Sequence, residues 1–176
     1  MIFRQTRLKG AYVIGLEKFE DERGFFARTF CQREFTEMGL NPGFVQCNTS
    51  VSLKKGVLRG MHYQTAPHEE AKLVRCTRGA IWDVIIDLRE GSETFRQWVS
   101  EELTHENRKM FYIPEGFAHG FLTLSNDTEV FYQMSEFFMP EYAKGVRWDD
   151  PAFGIIWPDK VAIISEKDRS YPDFGR

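Results

Sequence analysis

Gly56-Val57-Leu58-Arg59-Gly60-Met61-His62-Tyr63-Gln64 is the stretch on which the reading of this chain turns. It opens on a turn-forming glycine and ends too soon for a stable helix, so it reads as a strand. Similar short runs recur on both sides. Strands are expected over residues 11–16, 25–30, 44–53, 57–63, 71–77, 80–88, 98–103, 109–113, 119–123 and 129–138. The breaks between them hold Gly24, Gly43, Gly56, Gly79, Gly91, Asn107, Pro114, Gly116 and the run Ser125-Asn126-Asp127. Many short strands at regular spacing indicate an antiparallel sandwich or barrel. Helix is expected only over 32–38, ended by Gly39, and in a short turn after Pro158. The fold class is therefore all-β, one domain over residues 1–176 with short peripheral helices.

The bulk composition excludes several roles. Lys and Arg number 23 against 26 Asp and Glu, a net charge of −3, so no global basic field draws the chain to nucleic acid. Cys31, Cys47 and Cys76 show no CxxC spacing, which suits a reducing cytoplasm better than a zinc or disulfide framework. No apolar run approaches the roughly 18 residues that cross a bilayer. The segment Met1-Ile2-Phe3-Arg4-Gln5-Thr6 lacks the apolar centre of a signal peptide. A cytoplasmic protein without nucleic-acid or membrane partners is expected. The 16 phenylalanines suit a pleated core, although flat ligand sites also use aromatics.

Two spacings narrow the class. Gly56 and His62 are followed by Gln64, Lys72 and Gly79, and later by Pro114-Glu115-Gly116-Phe117-Ala118-His119. This resembles the paired signatures of the cupin barrel, G-x5-H-x-H-x3,4-E-x6-G and P-x-G-x2-H, with a longer gap before Lys72. The resemblance implies a double-stranded β-helix, the cupin or jelly-roll barrel. Its departures carry the chemistry. Gln64 stands where a second His ligand would be, and Lys72 where a Glu ligand would be. A divalent cation needs lone-pair donors, and an ammonium supplies none while it repels the ion. No metal and no other cofactor is expected.

A pocket with a lysine in the metal's place suits proton transfer beside a carbonyl. Lys72 can stabilise negative charge developing on the carbonyl oxygen. His62 can remove a proton from the adjacent carbon, because imidazole titrates near working pH. Tyr132 can return a proton from the opposite face. Singly, each has a plainer reading: a structural strand histidine, a packed tyrosine and a snorkelling surface lysine. The joint spacing favours the pocket. His68 and His105 fall outside it and are expected as exposed loop histidines.

Further stretches are more specific: Asp21-Glu22-Arg23-Gly24-Phe25-Phe26, Gln46-Cys47-Asn48-Thr49-Ser50, Lys72-Leu73-Val74-Arg75, Ile113-Pro114-Glu115-Gly116-Phe117-Ala118-His119-Gly120-Phe121 and Ser165-Glu166-Lys167-Asp168. With Asp83-Val84-Ile85-Ile86-Asp87-Leu88-Arg89 and Trp148-Asp149-Asp150-Pro151, they make the chain resemble the dTDP-4-dehydrorhamnose 3,5-epimerase family. The resemblance implies that His62 is the base and that Asp168 bonds its other nitrogen. It implies that Lys72 holds the C4 oxygen through an enolate and that Tyr132 protonates from the far side. Arg23 and Arg59 would grip the diphosphate, where guanidinium forks match phosphate oxygens. Gln46, Asn48 and His119 would line the sugar and phosphate channel, and Phe19 and Phe26 would help enclose the nucleobase. The implied substrate is a nucleotide-diphospho-4-keto-6-deoxysugar, epimerised at C3, C5 or both. N-terminal strands crossing between subunits would make a homodimer with shared active-site walls.

Two positions depart from the family pattern. Arg28 stands at the usual Glu of DERGFF-x-E. A carboxylate suits the N3 donor of thymine, whereas Arg28 would suit the N3 acceptor of cytosine, so dTDP- and CDP-linked sugars both stay open. The alternative is that Arg28 pairs with a phosphate or a surface acid. Phe138 stands at a usual Tyr, which removes a hydroxyl near the sugar and raises the case for inversion at one centre only. Three rival functions share the barrel: a nucleotide-sugar 3,4-ketoisomerase, a non-catalytic sugar-nucleotide binder and a metal cupin, the last opposed by Gln64 and Lys72.

Overall fold

The computed structural model describes residues 1–175. Two sheets face each other, antiparallel throughout except for one short strand. The first runs in the order β1 (Ile2–Gln5), β2 (Tyr12–Gly15), β10 (Met110–Ile113), β7 (Lys72–Arg78), β12 (Thr128–Met134) and β5 (Gln46–Ser52). The second runs β13 (Ala143–Gly145), β6 (Val57–Gln64), β11 (Phe117–Thr123), β8 (Ala80–Asp87) and β9 (Trp98–Thr104). The short β14 (Ile163–Ile164) lies parallel to β6. This is the all-β jelly-roll barrel that the resemblance implied. Among the described residues no helix is long and apolar enough to cross a membrane.

Alternation along the strands builds the core and the pocket from one face. On β7 the inward row reads Cys76, Val74, Lys72, and on β12 it reads Val130, Tyr132, Met134. Val74, Cys76 and Val130 meet Ile81, Ile85, Leu103, Phe117 and Phe121 of the opposite sheet in one buried cluster. The same rows continue into polar residues, so the pocket is the core's inner face carried toward one end of the barrel. The opposite face of β8 and β11 buries Val84, Ile86 and Ala118 under Val146 and Phe153.

Close packing of β6 on β11 needs two glycines. Gly60 has φ +135, and a Cβ there would lie 2.5 Å from the Gly120 Cα. The ladder between these strands shifts register between His119 and Phe121, across from that contact. At the end of β8 the buried Asp87 carboxylate accepts from Arg89 Nε at 2.9 Å and from the hydroxyls of Ser92 and Thr94. Arg89 also reaches the Lys9 carbonyl at 3.0 Å, tying the N-terminal segment to this turn.

Several expected boundaries change. The strand expected over 25–30 is β4 (Gly24–Ala27), which pairs only with β3 (Lys18–Asp21) in a hairpin outside both sheets. The strand expected over 129–138 stops at Met134, because residues 137–139 are drawn aside by the Gln64 side chain. Its amide donates to the His68 and Phe137 carbonyls and accepts from Met139 N–H at 2.6 Å. Four strands lacked a readable pattern: β1, β3, β13 and β14 are short, and their partners rather than their residue types hold them extended. The helix expected over 32–38 is α1 (Gln32–Glu37), followed by Gly39 at φ +70. The tail holds α2 (Glu166–Arg169), whose N-cap Ser165 accepts from Asp168 N–H at 3.0 Å.

Candidate active site

A cavity of about 760 Å³ opens between the sheets, within the range of small-molecule sites. His62, Lys72, Tyr132 and Asp168 all line it, as do Gln46, Asn48, Arg59, His119 and Phe138. Four expected residues do not. Phe19 and Phe26 face each other across the β3–β4 hairpin and are 65% and 73% exposed. Arg23 caps that hairpin on Asp21, a neighbour only two residues away. Arg28 donates to Glu34 of α1 at 2.7 Å, the surface-acid pairing that was the alternative to a base contact. β1 pairs with β2, and β2 with β10 of the same sheet, whereas the β3–β4 hairpin pairs with neither sheet. The segment that projects is the hairpin.

β6 places His62 opposite His119 of β11. His62 Nε2 lies 2.7 Å from Asp168 Oδ1, and the other carboxylate oxygen accepts from Gly60 N–H at 3.2 Å. Burial alone would push the Asp168 carboxyl up. The bonds from His62, Gly60 and Ser165 outweigh it and hold the group below its ordinary range. An ionised Asp168 accepts from His62 Nε2, so that in the neutral form of the ring Nδ1 carries the lone pair. The imidazole is nearly half exposed to the cavity, with 45% of its side chain accessible, whereas Asp168 shows 7%. Tyr171 meets the ring edge-on at 6.2 Å between centroids. A Cβ at Gly145 would fall 2.3 Å from the Tyr171 ring, so the glycine of β13 makes room for it.

Tyr132 stands on the opposite sheet, beside Asn48 of β5 and Val74 of β7. Burial pushes its phenol up, Arg59 partly opposes this, and Glu70 adds to the upward shift. The hydroxyl therefore stays protonated at neutral pH. Lys72 is buried, with Nζ 2.6 Å from Glu70 Oε1 and 3.4 Å from the His62 carbonyl. Arg59 reaches the Val51 carbonyl at 3.1 Å and Ser52 Oγ at 3.3 Å, across the gap between the sheets. Gln46 accepts from Phe138 N–H at 3.1 Å, fixing the half-exposed Phe138 at the cavity mouth.

Sequence reasoning missed two carboxylates here. Asp83 on β8 is fully buried, and its Oδ1 lies 2.7 Å from His119 Nε2. Burial raises its carboxyl pKa despite that histidine. A charge amid Ala80-Ile81-Trp82-Asp83-Val84-Ile85 was the available signal, since a buried carboxylate demands a partner. Glu70, two residues before Lys72, carried the same signal in a segment read as a loop. His68 is half-buried rather than exposed, because its ring packs on Tyr142 at 4.5 Å between centroids. His105 is exposed as expected, with Nδ1 3.1 Å from the Gly79 carbonyl.

Known proteins share this sequence and fold. The sequence profile described as dTDP-4-dehydrorhamnose 3,5-epimerase matches residues 5–175. The dTDP-4-dehydrorhamnose 3,5-epimerase of Methanothermobacter thermautotrophicus is 49% identical over 172 residues, covering 96% of this chain and 92% of its own. The crystal structure of the dTDP-4-dehydrorhamnose 3,5-epimerase of Elizabethkingia anophelis superposes with a TM-score of 0.96 at 45% identity, covering 99% and 96% of the two chains. A Legionella pneumophila dTDP-6-deoxy-D-glucose-3,5-epimerase, solved with dTDP-4-keto-L-rhamnose, gives 0.87 at 39% identity, covering 95% and 89%. With the fold and nearly the whole length in agreement, the chain belongs to the dTDP-4-dehydrorhamnose 3,5-epimerase family of carbohydrate isomerases.

Proposed function

We propose that this chain, as a single domain, epimerises a nucleotide-diphospho-4-keto-6-deoxysugar by proton transfer through an enolate. One observation carries the reading: His62 and Tyr132 stand on opposite sheets of one cavity, and the buried Lys72 lines the same cavity. A base and an acid on facing walls serve the two faces of a sugar ring, which is what inversion of a carbon requires. His62 Nδ1 removes the proton next to the ketone, and Asp168 stabilises the imidazolium that forms. The Lys72 ammonium holds the C4 oxygen as negative charge develops there. The Tyr132 hydroxyl delivers a proton from the far wall. Arg59 faces the diphosphate, and Gln46, Asn48 and His119 contact the sugar and phosphates.

Arg28 is engaged by Glu34, which weakens the case for cytosine, and the Legionella relative was solved with a dTDP-linked sugar. A dTDP-linked substrate is therefore favoured over a CDP-linked one. Arg23, Phe19 and Phe26 lie on the projecting hairpin. In this reading they serve the site of a second copy, in a cytoplasmic homodimer. The absence of a tyrosine hydroxyl at Phe138 supports a second reading, inversion at C3 or C5 alone.

The test is incubation with a dTDP-4-keto-6-deoxysugar in deuterium oxide, followed by NMR of the product. Deuterium at C3 and C5 with inverted couplings is the expected result, and inversion at one carbon supports the second reading. Migration of the carbonyl would identify a ketoisomerase. A bound sugar that exchanges no proton would leave only a binding module.

A further inference from the structure

Lys72 does not stand alone in the cavity. The Glu70 side chain is 4% exposed and its two oxygens are divided between two partners. Oε1 lies 2.6 Å from Lys72 Nζ, and Oε2 accepts from Gln64 N–H at 3.1 Å. Lys72 also donates toward the His62 carbonyl at 3.4 Å. An ammonium has three N–H donors. Two are thus directed at fixed protein acceptors, and one is left for a ligand oxygen.

This arrangement explains how a flexible lysine can present a donor in one direction. A four-carbon side chain has several rotamers, and burial alone does not select among them. The carboxylate does so by reaching the strand that carries the base: Gln64 lies two residues beyond His62 on β6. Lys72 is thereby placed relative to His62 by a short bridge of contacts. Glu70 also lowers the cost of burying a charge, because a paired ion is far less unfavourable than a lone one.

We propose that Glu70 is the positioning residue of the reaction: it aims the Lys72 ammonium at the substrate's carbonyl oxygen and locks it to the strand of the base. The proposal rests on the epimerase reading above. A glutamine at this position can satisfy only one of the two contacts. Whichever way its amide turns, its NH2 faces either the Lys72 ammonium or the Gln64 N–H.

The experiment is a double-mutant cycle with E70Q, K72Q and E70Q/K72Q, scored by kcat and KM for epimerisation and by solvent deuterium exchange. E70Q lowers kcat at least about tenfold, as misplacement of a catalytic group does, while KM stays within about twofold. In the K72Q background, adding E70Q changes the rate less than about twofold, the mark of two residues acting as a unit. E70D, which keeps the charge but withdraws it by one methylene, also lowers kcat. It replaces E70Q in the cycle if circular dichroism shows E70Q unfolded. An undiminished kcat in E70Q or E70D overturns the proposal. So does an equal fold loss from E70Q, or from E70D standing in for it, with and without Lys72, and so does a loss confined to KM. A wild-type enzyme that exchanges no proton removes the epimerase reading itself, a result distinct from any of these.

Discussion

In the proposed reaction, Asp168 determines which nitrogen of His62 can act. Its carboxylate is held below the ordinary range, so it stays charged through neutral pH and keeps the proton on Nε2. Asp168→Asn preserves shape, but its amide can also donate, and the wrong tautomer becomes available. The exchange rate at C3 or C5 should fall by about a hundredfold or more, with KM changed little. NMR in deuterium oxide measures both quantities. Tyr132→Phe should instead uncouple two events that the wild type joins. Removal by His62 survives and far-face delivery does not, so inversion slows more than exchange. Equal inversion rates in variant and wild type would mean that another group is the acid. Much of this was legible in the sequence, because His62 and His119 sit at the signature offsets, with Lys72 after a longer gap but at the expected distance from Gly79. Asp83 and Glu70 were not, because a carboxylate in or beside an apolar strand shows a need for a partner without showing which partner.

At the scale of elements, strand rows were readable and edges were not. Short apolar runs bounded by turn residues identify β7, β8, β11 and β12. β13 and β14 are extended because β6 offers them its ladder, which no local pattern encodes. The turn after β8 makes a testable case of side chains fixing an element's end. Burial alone would push the Asp87 carboxyl up, but bonds from Arg89, Ser92 and Thr94 hold it down at about 2. A carboxyl lowered on folding stabilises the protein above its unfolded pKa of about 4. That contribution is lost as pH falls from there toward the folded value. Asp87→Asn should therefore reduce unfolding free energy by about 2 kcal/mol at pH 7. The gap from wild type should narrow between about pH 4 and pH 2, as urea titrations at several pH values would show.

For the molecule as a whole, the β3–β4 hairpin is the element that the single chain leaves unused. Phe19 and Phe26 expose their rings on it, and Phe25 packs beneath Lys18 and Arg108 instead. Exposed aromatic pairs on a projecting ribbon suit contact with a flat nucleobase or with another copy. Replacing both Phe19 and Phe26 with Ser should leave the thermal midpoint unchanged, since neither ring enters the core. It should raise KM for the nucleotide sugar about tenfold, as loss of aromatic anchors does. Sedimentation of the wild type should show a dimer. A monomeric wild type, or a variant with unchanged KM, would rule out a hairpin that completes a neighbouring site.

The carboxylate that bonds His62 is encoded 106 residues after that histidine. A ribosome releases His62, Lys72 and Tyr132 well before Asp168, so a nascent barrel can close around a histidine that still lacks its partner. The Asp168 contact is thus acquired after the strands that carry His62, Lys72 and Tyr132 have been made. The same order exposes it to a protease: a cut in the irregular stretch between residues 154 and 162 would break no strand and would loosen the segment that carries β14 and Asp168.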